Sequence, residues 1–236
     1  MAKETFVLFS PAHWAGLIAA ALVVAAMIAA RKWLRHPARN RAFRYGLSAA
    51  LAGSELALYA WYTAKGQWGL YALPFQLCTM TLWISVFALL TKSRIAFEIS
   101  FFLGILGAMQ ALLTPYLVVT FPDFRYFHFF IAHIAIIAAG VFLAAVDGYR
   151  PTARSAIRAW LWLNLLAVPA AVANWLTGEN FMFLARKPPT GSLLDLLAPW
   201  PWYLAQLELV ALAFLFGMLA VVKAAERWML GGTRKI

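Results

Sequence analysis

Cys78 is the only thiol in this 236-residue chain, and His133 is one of four imidazoles. A thiol becomes a nucleophile when a neighbouring base withdraws its proton and a third polar group holds that base, so the pair has the residue types for covalent acyl chemistry. Glu55, Gln110 and Glu208 stand singly in apolar surroundings, as do Gln76, Gln206, Asn174 and Thr177. An isolated carboxylate there must protonate or find a partner, and the His133, Gln110 and Asn174 set is the partner the sequence offers. One cysteine excludes an intrachain disulfide and any multi-cysteine metal site. With no His-x-x-x-His pair and no Gly-rich phosphate loop either, neither metal nor cofactor is expected.

The elements that must position these residues are membrane helices. Hydrophobic residues make up 64% of the chain and charged residues 12%, with a mean hydropathy of +0.76, which excludes a water-soluble fold. Apolar runs long enough to cross lie at 11–30, 44–64, 70–90, 95–117, 126–147, 155–177 and 200–222. The expected fold is therefore all-α: one polytopic domain over 1–236 with seven transmembrane helices. The first run is of full length and is followed by basic residues, so it reads as a retained span rather than a secretory leader. The net charge of +11 does not point to nucleic acid, because the basic residues sit between apolar runs and no binding motif accompanies them.

Their distribution sets the orientation. Fifteen of the 20 basic residues fall on one side, including Arg31, Arg44, Lys92, Arg94, Arg150, Arg158 and Lys223; five (Lys3, Lys65, Arg125, Arg186 and Lys187) fall on the other. The positive-inside rule then puts the N-terminus outside and the C-terminus in the cytoplasm. The longest outer connection, 178–199, carries Gly178, Pro188, Pro189 and Gly191 and is long enough to fold over a site. Arg125, Asn180, Lys187, Asp195, Trp200 and Trp202 are its substrate-entrance candidates, the two tryptophans also serving as an interfacial anchor.

Counted inward at about 1.5 Å per residue, Glu55, Cys78, Gln110, His133 and Glu208 share one layer roughly 10–14 Å below the outer boundary. Gln76 and Asn174 lie shallower. An ionisable residue in a span faces the bundle interior by default, which makes this layer the candidate site and membrane lipids the expected partners. Glu98 stands apart near the inner face, one turn after Arg94, as an ordinary i,i+4 pair. Gly104, Gly107, Ala108 and Ala111 form a small-residue stripe for close helix packing. Pro169 should kink the sixth span, and Pro115 should end the fourth.

The segments LPFQLC (Leu73–Cys78), GAMQALLTP (Gly107–Pro115), FPDFRYFHFFIAH (Phe121–His133), NFMFLARKP (Asn180–Pro188) and LLDLLAPWPWY (Leu193–Tyr203) resemble the YwaF-type bacterial integral membrane proteins, relatives of the eukaryotic transmembrane protein 164 family. The resemblance implies a seven-helix fold and a bacterial cytoplasmic membrane. For the eukaryotic branch it also implies acyl transfer between lipids through a Cys/His pair that falls on Cys78 and His133. Gln76 stands where many members are expected to have His.

Three readings follow from the polar layer. It could be a lipid acyltransferase, a lipid hydrolase with the same pair, or a transporter or ligand-binding protein using Glu55, His133 and Glu208 as a polar site. The lack of an internal repeat counts against the transporter. Retinal chemistry is excluded because the seventh span, Pro201–Val222, holds no lysine.

Overall fold

The computed structural model describes residues 5–188 and 193–231, and among these it contains helices and no strand. The helices are α1 (Pro11–Ala29), α2 (Arg31–Leu34), α3 (Pro37–Ala64), α4 (Leu77–Thr91), α5 (Arg94–Ile99), α6 (Ile105–Leu113), α7 (Phe124–Ala145), α8 (Ala153–Thr177) and α9 (Trp202–Gly231). A π segment, Ser100–Gly104, joins α5 to α6. Six helical stretches are long and apolar enough to cross a membrane: Pro11–Ala29, Leu70–Thr91, Arg94–Leu113, Phe124–Ala145, Ala153–Thr177 and Trp202–Arg227. This is a multi-pass membrane architecture. The long helix not in that set is α3, whose 28 residues open on Arg39, Arg41 and Arg44 and later include Glu55, diluting its apolar character.

Local chemistry sets the ends. Ser10 accepts from the His13 N–H ahead of Pro11, Asp123 caps α7, and Thr152 with Ser155 forms a capping box on α8. Gly178 closes α8 in the left-handed conformation (φ 74°). As expected, α6 stops just before Pro115, and Pro169 lies inside the continuous α8. Arg35 donates to the carbonyls of Ala145 and Val146, and Arg44 donates to those of Leu89 and Leu90 at 2.5 and 3.0 Å. The basic connections thus satisfy the bare C-terminal carbonyls of α7 and α4 as well as marking one side of the bundle.

The α5–π–α6 segment lies at the centre, packed on α4, α7 and α8. Gly140 of α7 sits against the Ser100 carbonyl and Ile105, Gly104 sits against Ile136, and the Ser85 and Ser100 hydroxyls bond at 2.7 Å. α1, α3, α4 and α7 pack on one flank of this segment, and α8 with α9 on the other.

One sequence expectation fails in a way that matters for the site. Residues 70–76 are not a continuation of α4: a 3-10 turn at Leu70–Ala72 leads through extended backbone at Leu73 and Gln76. Cys78 is therefore in the first turn of α4, and the depth given to it by helical rise from residue 70 does not apply.

Candidate functional site

Around Cys78 the structure supplies three features. First, the N-cap residue Gln76 makes no capping hydrogen bond to its own helix; its Oε1 accepts from the Met182 N–H at 3.1 Å. The N–H groups of Leu77, Cys78 and Thr79 are consequently without partners among the described residues, an arrangement suited to receiving an oxyanion. Second, Cys78 packs on α6, its Sγ lying 3.9 Å from where a Cβ on Gly107 would stand. A Cβ at Gly107 would make ordinary contact with the thiol and with Leu77, so this glycine of the small-residue stripe faces the start of α4. Third, the thiol is half-buried and free.

His133 sits on α7. Its Nδ1 lies 2.6 Å from the Phe129 carbonyl, with the two rings 4.3 Å apart. A carbonyl oxygen only accepts, so Nδ1 carries the hydrogen and Nε2 presents a lone pair. The register of α7 on the central segment relates the imidazole to the thiol. Gly140 meets Ser100 and Gly104 meets Ile136, so moving three residues along each antiparallel helix brings residue 133 level with residue 107, the residue that Cys78 touches. By that register the two residues stand at matching positions along helices, α4 and α7, that pack on one another. No hydrogen bond joins them among the described residues.

The rest of the polar layer separates into distinct groups. Asn174 is buried and binds the loop backbone: its Oδ1 accepts from the Phe181 N–H at 2.6 Å, and its Nδ2 donates to the Phe181 carbonyl at 3.0 Å. Glu208 Oε2 accepts from Trp160 Nε1 (2.6 Å) and Asn164 Nδ2 (3.1 Å), fastening α9 to α8 away from the imidazole. Gln110 donates to Thr114 one turn on. Glu55 is buried on α3, where Tyr59 and Arg125 act on it. The expectation that His133, Gln110 and Asn174 hold the two carboxylates is therefore corrected. Equal depth left the direction around each helix open, and the side chains point to different neighbours.

The connection after α8 does fold over the site. Its 3-10 turn, Phe181–Phe183, is held by Asn174, by Gln76 and by the Tyr203 hydroxyl, which donates to the Phe183 carbonyl. The Phe181 ring packs on Phe75, three residues before the thiol. Of the entrance candidates, Asn180 braces this loop through Ala185 and Arg186, and Lys187 donates to the Leu197 carbonyl. Asp195 lies in a 3-10 turn, while Trp200 and Trp202 are exposed. Beside the loop, an apolar groove of about 440 Å³ runs between Leu73, Phe75 and the C-terminal half of α8 at Val168, Val172 and Leu176.

Arg125 behaves differently from the other entrance candidates. Its guanidinium lies over the Tyr62 ring at 5.5 Å and acts electrostatically on Glu55, Tyr62, His128 and His133. Among the described residues, Arg125 Nη1 and His128 Nε2 are buried without a hydrogen-bond partner. The sequence reading missed His128, although its five-residue separation from His133 on one apolar helix was a usable signal. It also missed a second, closer partner of Glu98 besides Arg94, described below.

Among the described residues no group of three or more His, Cys, Asp or Glu is gathered for a metal ion. The chain matches the family model described as the TMEM164 family over residues 8–219. No curated protein and no solved structure matches it.

Proposed function

This chain belongs to the TMEM164 family, and from that premise we propose that it is a membrane-embedded lipid acyltransferase with Cys78 as nucleophile and His133 as base. The observation that carries the reading is the matching position of Cys78 and His133 along packed helices at Gly107, with the tautomer of His133 leaving Nε2 as the basic nitrogen. Catalytic hydrogen bonds commonly tighten only in the substrate complex, so the two groups need not be bonded beforehand.

In the first half-reaction His133 Nε2 takes the thiol proton and the sulfur attacks the ester carbonyl of a lipid. The unpaired N–H groups opening α4 receive the developing oxyanion. The ester C–O bond breaks, the imidazolium returns its proton to the departing lipid alkoxide, and a thioester remains on Cys78. In the second, the acceptor hydroxyl gives its proton to Nε2 and attacks the thioester; the acyl–sulfur bond breaks and the sulfur recovers the proton. The apolar groove beside Phe75 offers room for an acyl chain, and the unpaired edges of Arg125 and His128 suit phosphate and glycerol oxygens.

The same reading makes α3 a seventh span, with the N-terminus outside and the C-terminus cytoplasmic, supported by the fifteen-to-five division of basic residues. Purified protein supplied with a labelled acyl phospholipid and an unlabelled lysophospholipid tests the activity. Label should move to the lysolipid; Cys78→Ala should abolish this, and His133→Gln should slow it by roughly 10²–10⁴-fold, the range for a general base. Release of free fatty acid without transfer would make the protein a hydrolase, and full transfer by Cys78→Ala would remove the thiol from the mechanism.

A further inference from the structure

At the opposite end of the bundle, the residues that open α5 and α8 enclose a cavity of about 740 Å³ lined by Arg94, Glu98, Thr152, Arg154 and Arg158. Glu98 forms its floor and is only 1% exposed. The sequence paired it with Arg94, and that contact exists at 3.6 Å. The stronger partner is Arg158, 60 residues away, whose Nε donates to Oε2 at 2.7 Å while Nη2 donates to Oε1. One carboxylate against three guanidiniums leaves a surplus of positive charge. Arg154 supplies much of it, having no partner among the described residues.

Two further features of α8 bear on what this charge would hold. Its first-turn N–H groups at Ala153 and Arg154 have no partner among the described residues, while Thr152 is engaged in capping Ser155. Beyond the cavity the exposed face of α8 is apolar at one-turn intervals: Ile157, Leu161 and Leu165 are 46%, 54% and 56% exposed. These three span about 12 Å at about 1.5 Å per residue, close to one leaflet of a hydrocarbon core about 30 Å thick. A soluble anion would use the arginines and ignore that face. A phospholipid would use both.

We propose that this cavity is a binding site for the phosphate of an anionic phospholipid, whose acyl chain lies along Ile157, Leu161 and Leu165 and whose phosphate is held by Arg154, Arg94 and the outward edge of Arg158. Glu98 positions Arg158 by occupying its other edge, so the guanidinium is oriented before the lipid arrives. The site is separate from Cys78 and does not depend on the acyltransferase reading.

The test uses the full chain in detergent, titrated with phosphatidylglycerol, phosphatidylcholine or inorganic phosphate, with bound lipid counted by native mass spectrometry. Phosphatidylglycerol should bind more tightly than phosphatidylcholine, and Arg154→Gln should weaken it about five-fold, the effect of one basic residue at a membrane surface. Phosphatidylcholine binding should be unchanged. Arg94→Gln should act in the same direction, which protects the result against a folding defect peculiar to one variant. Arg41→Gln, at the same end but outside the cavity, should have no effect. If Arg41→Gln weakens binding as much as Arg154→Gln, the attraction is diffuse and the site is refuted. Equal binding of the two lipids refutes it also, and complete displacement of lipid by millimolar phosphate would make it a soluble-anion site.

Discussion

Replacing Asn174 with Leu should release the loop that covers the thiol. The Asn174 carboxamide makes both hydrogen bonds to the Phe181 peptide, at 2.6 and 3.0 Å, and Phe181 is itself 1% exposed. Leucine fills a similar volume but leaves that N–H and carbonyl buried without partners, at about 1–3 kcal/mol each. Gln76 and Tyr203 still hold the neighbouring residues, so a net loss of about 3 kcal/mol in local opening is expected, or roughly a hundred-fold by the relation of about 1.4 kcal/mol per decade. Amide hydrogen exchange on a peptide covering 178–185 reads this opening directly. Exchange should accelerate by about two orders of magnitude, with peptides from α7 unaffected. Asn174→Asp should fall between, because it keeps the acceptor for the Phe181 N–H while facing the carbonyl with a second oxygen. Unchanged exchange in the Leu variant would show that Asn174 does not hold the loop.

Arg158→Gln should lower the thermal unfolding midpoint in detergent more than Arg94→Gln does, because only Arg158 pairs bidentately with the buried Glu98; equal midpoints would contradict the assigned pairing. Glu208→Gln should be tolerated better than Glu208→Leu, since glutamine still accepts from Trp160 and Asn164 and leucine strands both donors. Equal stability of these variants would mean that the carboxylate does not fasten α9 to α8. A reporter fused after Ile236 should read cytoplasmic and one inserted near Pro189 external; the reverse pair would overturn the orientation, and a shared side would overturn the span count.

Hydropathy made the long helices legible because a bilayer demands about 20 apolar residues whatever their packing. It could not reveal that α4 starts only at Leu77. The run from Leu70 to Phe75 is apolar enough to read as helix, and the single Pro74 was an insufficient warning of the break. Depth counting placed Cys78 and His133 in one layer with Gln110 and Glu208, which bond elsewhere. A linear count fixes height along a helix and leaves the direction around it undetermined. The close pairing of Glu98 with Arg158 escaped for a related reason: an i,i+4 neighbour offered a local explanation, and the stronger contact crosses from α5 to α8. The N–H groups of Leu77, Cys78 and Thr79 are without partners among the described residues because the Gln76 side chain turns to the loop, a choice that only the tertiary structure expresses.

The central claim is that Cys78 carries the acyl group between donor and acceptor, and the mass of the Cys78 peptide tests it most directly. Protein incubated with a phospholipid donor and no acceptor should show an increase equal to one fatty acyl group less a hydrogen on that peptide. Hydroxylamine should remove it, and a lysophospholipid should discharge it faster than water. His133→Gln should form the same adduct more slowly. A peptide that stays unmodified across donors of different headgroup and chain length, while the protein still transfers acyl groups, would contradict the covalent mechanism and assign Cys78 to packing against Gly107.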